Sequence, residues 1–266
     1  MTLNFTELTK KARAGEGLVQ ADINDIVSAG PGATFALVEL AAEFRRTHFA
    51  NRLAIVNLIK DGAEPAPANN AGTEISVGAG ETPTDIAAQI FEAAASETPR
   101  LIFNFLVPSE EVGAPGAAAL TPMYCLRLLA AARLAAPGKS LQIAGGRSIH
   151  LRSLQALALH LIDSMYISDF RLSEPRLVFE DLKLIRSGGL IVDGAENRDL
   201  AQEYVAYLSA NGVEDAAGYA TVILAEEEPG EGGCGGGCGC GAGGCGSSAE
   251  PEASADGCAS GACGGH

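Results

Sequence analysis

Six cysteines and a histidine near the carboxyl end of the chain are residues whose types and spacing could support metal chemistry. Three, one, four, twelve and four residues separate successive cysteines, and two precede the histidine, which matches neither zinc-finger nor ferredoxin patterns. Soft thiolates favour Zn²⁺, Cu(I) or iron–sulfur species, and glycines between them let a chain wrap around a metal. We therefore predict a metal-binding segment, the alternative being a low-complexity tail with incidental thiols. The predicted ligands are Cys234, Cys238, Cys240, Cys245, Cys258, Cys263 and His266.

The segment that carries these ligands, residues 226–266, differs in composition from the rest of the chain. It holds seven acidic and no basic residues, 15 of the 33 glycines and six of the seven cysteines. It has almost no apolar bulk, so it cannot bury enough surface to offset the entropy of ordering. We expect this tail to be disordered unless a metal folds it.

The elements that precede the tail alternate between strand and helix patterns. A region of helices, predicted at 3–13, 20–28 and 32–48, comes first, and a loop is predicted at 61–71. The predicted strands are 53–59, 73–78, 100–107, 140–144, 164–168 and 189–192. The predicted helices between and after them are 82–96, 121–137, 151–163, 175–187 and 196–211. Strands alternating with helices indicate βα units on a parallel sheet, and about six strands are fewer than the eight of a complete barrel.

The composition excludes several classes of function. The net charge is −15 and no basic stripe is present, so nucleic acid is not an expected partner. No apolar run reaches the ~18 residues that a membrane span needs, and the first residues do not resemble a signal peptide. We therefore expect a cytoplasmic protein that has no membrane partner, in which thiols stay reduced.

Three stretches of the sequence carry motifs of a known family. They are Phe44-Arg-Arg-Thr-His-Phe-Ala-Asn-Arg52, then Gly78-Ala-Gly-Glu-Thr82 with Phe103-Asn-Phe-Leu-Val-Pro108, and Leu141-Gln-Ile-Ala-Gly-Gly-Arg147 with Leu151-Arg-Ser-Leu-Gln155. Together they resemble the biotin synthase family, a group of radical S-adenosylmethionine enzymes with a TIM-type barrel. The third resembles the start of the carboxyl-terminal region shared by biotin and thiamine synthesis enzymes. The resemblance implies an α/β fold, with helices at 1–50 followed by a partial (incomplete) TIM-type barrel at 51–225. The Cys/Gly-rich acidic tail at 226–266, predicted from its composition to be disordered or metal-binding, follows the barrel.

The resemblance also implies a missing part between Lys60 and Gly72. There the family has a Cys-x3-Cys-x2-Cys loop for a [4Fe–4S] cluster and S-adenosylmethionine, three further strands, and cysteines for a [2Fe–2S] cluster. This sequence has Asp61 to Ala71 and no cysteine. Without thiolate ligands the first cluster cannot be held by the protein, so S-adenosylmethionine is not an expected cofactor.

Two residues are candidate ligand-binding groups because of the resemblance. Asn104 matches a substrate-contacting asparagine, although a strand asparagine is equally expected to have a structural hydrogen bond. Arg147 matches an arginine that touches the [2Fe–2S] cluster, and the competing interpretations are a relic and an anion-binding group. The Gly78–Glu81 segment lacks the third glycine of a dinucleotide fingerprint and is interpreted as a turn. Cys125 is predicted to be a small core residue.

Three hypotheses for function follow. The first is a non-catalytic accessory or binding protein linked to biotin synthesis, with a metal- or iron–sulfur-binding tail. The second is a component of biotin synthase activity, which is sulfur insertion into dethiobiotin, completed by a partner subunit. The third is a metal or iron–sulfur carrier. An open sheet exposes edges and, we expect, an apolar concave face, so either strands 53–59 and 73–78 pair or another chain fills the opening. We predict a homodimer or a complex with a biotin-synthase-type enzyme.

Overall fold

The structure is a computed structural model that describes residues 3–57, 72–108, 120–167 and 175–224. The described helices are α1 Phe5–Arg13, α2 Gln20–Val27, α3 Thr34–Phe49, α4 Pro83–Ala95, α5 Pro122–Ala135, α6 Arg147–Leu151, α7 Gln155–Leu159, α8 Pro175–Ser187, α9 Leu200–Ala210 and α10 Ala216–Leu224. The described strands are β1 Arg52–Ile55, β2 Thr73–Val77, β3 Arg100–Phe105, β4 Ser140–Gly145, β5 Ser164–Met165 and β6 Ile191–Val192.

All six strands form one sheet in the order β2-β3-β4-β5-β1-β6, and every neighbouring pair is parallel. Helices follow the strands and cover one face of the sheet, as the βα pattern predicts. The predicted α/β fold class is confirmed: the described residues form part of a TIM-type barrel, and helices α1–α3 precede its first strand in the chain. The predicted tail, 226–266, lies outside the described residues.

The position of β1 differs from one alternative that the sequence left open. We considered that the first strand could pair with the strand at 73–78. Instead β1 lies between β5 and β6, with Ala54 opposite Ser164 and Leu53 opposite Val192. A pairing between β1 and β2 is therefore wrong, because strands from the last part of the chain occupy both sides of β1.

Local capping explains where several helices begin. In α4 the Thr82 side chain accepts from the Asp85 N–H while the Asp85 carboxylate accepts from the Thr82 N–H at 2.9 Å, and Pro83 is the first helical residue. This capping box satisfies two amide groups that a helix start otherwise leaves unpaired. The hydrogen bonds at Thr82 also hold the pKa of Asp85 below its ordinary value.

The region predicted as one helix at 151–163 is built differently. It contains only the last residue of α6, then a 3-10 turn at Arg152–Leu154 and α7, and the chain leaves helical geometry at Arg152, whose φ is +49°. The single-helix prediction is wrong because helical spacing of apolar residues does not reveal a backbone break at a residue that is neither glycine nor proline. Helix α10 was also missed, since it lies directly before the change in composition at Glu226.

Buried arginines close the amino ends of the central strands. Arg133 is fully buried, and its guanidinium donates to the Leu161 carbonyl at 2.9 Å, to the Lys139 carbonyl at 2.8 Å and to Asp163 Oδ1 at 2.6 Å. Asp163 in turn accepts from the Leu141 N–H at 2.7 Å. Burial lowers the pKa of Arg133, and the Asp163 carboxylate opposes that effect. These bonds join α5, β4 and the start of β5.

A second buried arginine extends this closure to β1. Arg45, at the end of α3, is 1% exposed and donates to the backbone carbonyls of Ile162, Ala50 and Arg52. Burial lowers its pKa to about 10. Because a buried charge is costly unless it is fully hydrogen-bonded, this pairing fixes the turn between α3 and β1.

Candidate ligand-binding site on the polar face of the sheet

The two faces of the sheet have different chemistry. One face is apolar and fully buried against the helices, with side chains from each of the four longer strands. These buried residues are Leu53, Ile75, Val77, Leu101, Phe103, Phe105, Leu141 and Ile143. Because strand side chains alternate, the residues between them point to the opposite face.

That opposite face, called here the polar face, is defined by Ala54, Glu74, Ser76, Ile102, Asn104, Gln142 and Ser164. Glu74 is exposed, Asn104 is half-buried, and Gln142 is fully buried. The expected apolar concave face is therefore wrong for the described strands, because five of these seven side chains are polar.

Asn104 lies near the carboxyl end of β3 and is held by residues of β2. Its Nδ2 donates to Glu74 Oε1 at 3.0 Å, and the hydroxyl of Ser76 donates to the same oxygen at 2.9 Å. On the other side, a Cβ at Gly145 would lie 2.5 Å from Asn104 Oδ1, so a side chain where β4 bulges past the asparagine would displace its amide. The structure thus places Asn104 at the centre of a polar cluster.

Arg147 begins α6 at the carboxyl end of β4. The preceding residue, Gly146, has a φ of +69°, and a Cβ there would lie 2.0 Å from the Phe105 carbonyl oxygen. The Arg147 guanidinium forms a buried ion pair with Asp181 of α8 at 2.5 Å and donates to Gln155. These contacts join α6, α7 and α8, and its predicted role in ligand binding stays a prediction.

Asn104 and Arg147 occupy the ends of neighbouring strands, yet no hydrogen bond between them occurs in the described part of the chain. The bonds of Asn104 go towards β2 and those of Arg147 go towards α7 and α8. A different contact joins α6 to the residue after β3: His150 Nε2 is 2.9 Å from the Leu106 carbonyl oxygen. The two predicted residues are therefore held in place by separate hydrogen bonds at neighbouring strand ends and not by a bond to each other.

The Gly78–Glu81 segment is a turn, as the sequence indicates. The Glu81 carboxylate accepts from the N–H groups of Gly78 and Ala79, both at 3.0 Å. These are the amides that a phosphate would need, and the protein's own carboxylate occupies them. Gly78 and Gly80 have φ values of +125° and +103°, which explains why glycine is used at both positions.

One of the seven cysteines lies in the described part of the chain, and the other six lie outside it. Cys125 is fully buried in α5, as predicted for a core residue, and burial raises the pKa of its thiol to about 12. The predicted ligands Cys234, Cys238, Cys240, Cys245, Cys258, Cys263 and His266 lie outside the described residues. Within the described ranges no group of three or more histidine, cysteine or acidic residues could hold a metal ion.

Sequence reasoning missed three residues of the polar face. Glu74 and Ser76 alternate with apolar neighbours in β2, which is a signal for one polar side of a strand. Gln142 is the single polar residue in Leu141-Gln-Ile-Ala, and a buried position could have been suspected from that alone.

No helix among the described residues has the length and apolar character to cross a membrane.

Comparison with known proteins agrees with this geometry. Residues 103–191, from β3 to β6, match the Biotin and Thiamin Synthesis associated domain. The chain is 34% identical over 152 residues to a biotin synthase of Nocardioides sp., covering 57% of this chain and 40% of that protein. It is 34% identical over 166 residues to a biotin synthase of Streptomyces avermitilis, covering 62% of this chain and 41% of that protein.

A biotin synthase of Renibacterium salmoninarum is 39% identical over 116 residues, which cover 44% of this chain and 34% of that protein. The chain thus matches about two fifths or less of the length of each of these relatives. The resemblance inferred from the three sequence stretches is confirmed, and the matched domain contains both Asn104 and Arg147. The chain is thus similar to biotin synthases over the residues that they match, and residues 103–191 match the Biotin and Thiamin Synthesis associated domain.

Proposed function

We propose that this chain is a non-catalytic binding or accessory protein linked to biotin synthesis. One observation carries the proposal: Cys125 is the single cysteine in residues 1–225, and it is fully buried. A cluster that cleaves S-adenosylmethionine needs several thiolates, and a buried thiol with a pKa of about 12 is not one at neutral pH. The polar face, by contrast, retains side chains suited to binding a small molecule.

The proposal is tested by a cleavage assay. The full chain is treated anaerobically with iron and sulfide, then incubated with S-adenosylmethionine and a strong reductant, and 5′-deoxyadenosine is measured. We expect no product above the buffer blank, whereas a complete biotin synthase in the same assay gives product. Turnover by this chain alone would contradict the proposal.

A second candidate function is a component of biotin synthase activity completed by a partner subunit. It is favoured by the sheet order, in which β2 and β6 each have one paired neighbour among the described strands. Edge strands with unpaired backbone groups invite another chain. A homodimer or a complex with a biotin-synthase-type enzyme would meet this need.

Light scattering of the full chain under reducing conditions, alone and mixed with a biotin-synthase-type enzyme, tests the association. A dimer mass, or a mixed complex, is the expected result. A monomer in both samples would leave the binding function without an obligate partner and remove the second candidate.

The tail is proposed to bind Zn²⁺, Cu(I) or an iron–sulfur cluster through its six cysteines and His266. Metal content of the full chain should fall when all six tail cysteines are changed to serine, because binding needs thiolates. Equal metal content in both proteins would show that these thiols are incidental. Reduced thiols of this kind suit a cytoplasmic location, which is part of the proposal.

A further inference from the structure

One row of the polar face crosses the sheet from solvent to the interior. The strand register places Glu74 opposite Ile102, Ile102 opposite Gln142, and Gln142 opposite Ser164. Neighbouring strands lie ~4.8 Å apart, so the Glu74 and Gln142 backbones are separated by roughly 10 Å. Between them lies the apolar side chain of Ile102, which is 5% exposed.

The amide of Gln142 is buried and incompletely paired. Its Oε1 accepts from the Ser164 hydroxyl at a long 3.5 Å, and its Nε2 has no hydrogen-bond partner among the described residues. If the amide were turned over, the serine would face the nitrogen and the oxygen would be left instead. Because an unpaired buried amide destabilises a fold, a group retained in this state is suited to a ligand.

The other end of the row is a carboxylate with donors on one side only. Both hydrogen bonds to Glu74, from Asn104 and Ser76, reach Oε1. No cationic side chain pairs with Glu74 in the described part of the chain. The neutral donors orient this carboxylate but do not compensate its charge, which leaves it able to receive a cation.

We propose that the polar face binds a small molecule with a protonated amine at Glu74 and a hydrogen-bond acceptor at Gln142. Its aliphatic middle would lie over Ile102. This inference rests on the proposed binding function and specifies the chemical class of its ligand. The strongly negative net charge of the chain favours approach of a cation over an anion.

Three probes of matched length separate the two ends of the site: 6-aminohexanoate, hexanoate and hexylamine. Binding is measured from amide shifts of the isotope-labelled full chain. We expect 6-aminohexanoate to bind at least about fivefold more tightly than either single-ended probe, since each charged or amide hydrogen bond contributes about 1 kcal/mol or more. Equal binding of hexanoate and 6-aminohexanoate would overturn the proposal.

Variants assign each end to its residue. Glu74→Gln should lower affinity for 6-aminohexanoate to that for hexanoate, while Glu92→Gln, which removes the same charge from the exposed side of α4, should leave it unchanged. Gln142→Met should lower the affinity to that for hexylamine. Without ligand, this variant should melt about 2–4 °C higher, because an unpaired buried amide is removed.

A lower melting temperature for Gln142→Met would show that the amide has a structural partner and would overturn the proposal, as would equal effects of the two glutamate variants. The cleavage assay on the same preparations keeps this test separate from that of the proposed function. Loss of amine selectivity without 5′-deoxyadenosine removes only the ligand assignment. Turnover with intact amine selectivity removes only the non-catalytic assignment.

Discussion

The amino and carboxyl ends of the same sheet use polar residues in opposite ways. At the amino end, Arg45 and Arg133 direct their donors mainly to backbone carbonyls, and Asp163 receives a backbone N–H. Towards the carboxyl end, Asn104 bonds to the Glu74 side chain, and both side chains remain partly accessible. The first arrangement closes turns and leaves little capacity for a ligand. The second holds functional groups in place without using all of their hydrogen-bonding capacity, as is usual for the two ends of TIM-type sheets.

The largest loss of stability is expected when Arg133, at the amino ends of the strands, is replaced. Arg133→Met should lower the free energy of unfolding by about 3–5 kcal/mol, because Asp163 would then be a buried charge without its cationic partner. Urea denaturation measures the change. The matched control is Arg176→Met, which breaks an exposed pair with Glu180 and should cost less than about 0.5 kcal/mol. Similar losses in both variants would break the comparison.

A second variant tests how tightly the carboxyl end is built. Gly146→Ala and Gly189→Ala both place a side chain at a left-handed φ, +69° and +67°, which costs about 1–2 kcal/mol. Only at Gly146 would the new Cβ collide with the Phe105 carbonyl; Gly189 has nothing within 4 Å. Gly146→Ala should therefore be about 1–3 kcal/mol more destabilising than Gly189→Ala in urea denaturation. Equal costs would show that the ends of β3 and β4 separate easily.

The smallest effect concerns a histidine near the amino-end arginines. The pKa of His160 is lowered by burial first and then by the positive charges of Arg45 and Arg46. Because the folded-state pKa lies below the unfolded one, the unfolded chain binds the proton more tightly. The stability contributed by neutral His160 is thus present above the unfolded pKa and is lost as the pH falls through it towards the folded pKa.

Nuclear magnetic resonance titration of the His160 ring should give a midpoint below 6.5. Arg46→Gln should raise this midpoint, while Lys10→Gln serves as a control, since Arg45 and Arg46 are the charges that act on His160. A midpoint at or above 6.5 in the native chain would show that the amino end is more hydrated than its buried arginines indicate.

Much of the fold was predictable because its signals are local. The predicted strand at 73–78 and helix at 175–187 correspond to β2, Thr73–Val77, and α8, Pro175–Ser187. The pairing of β1 with β5 and β6 was not predictable, since it depends on contacts between residues more than 100 positions apart. The break at Arg152 also has no local signal.

The candidate site was predictable only in part. Asn104 was found through family resemblance, and the structure adds that its partner is Glu74. Gln142 could not be assigned from the sequence, because a lone glutamine in an apolar strand does not show whether its amide is paired. For Arg147, the sequence showed that the residue follows two glycines at the end of a strand. It did not show that Asp181 of α8 would form an ion pair with it.

The placement of β1 has a consequence for engineering. Beyond the strand end, the Asn57 side chain exchanges two hydrogen bonds with the Ile167 backbone, so the amide imitates a peptide group and prolongs the pairing with β5. Among the described strands, β1 pairs with β5 and β6 and not with β2, the strand that follows it in the chain. Cleavage of the chain between β1 and β2 should therefore leave the pairing of β1 intact and give two fragments that reassemble. The same junction is a natural position for a split-protein reporter or for insertion of a foreign domain.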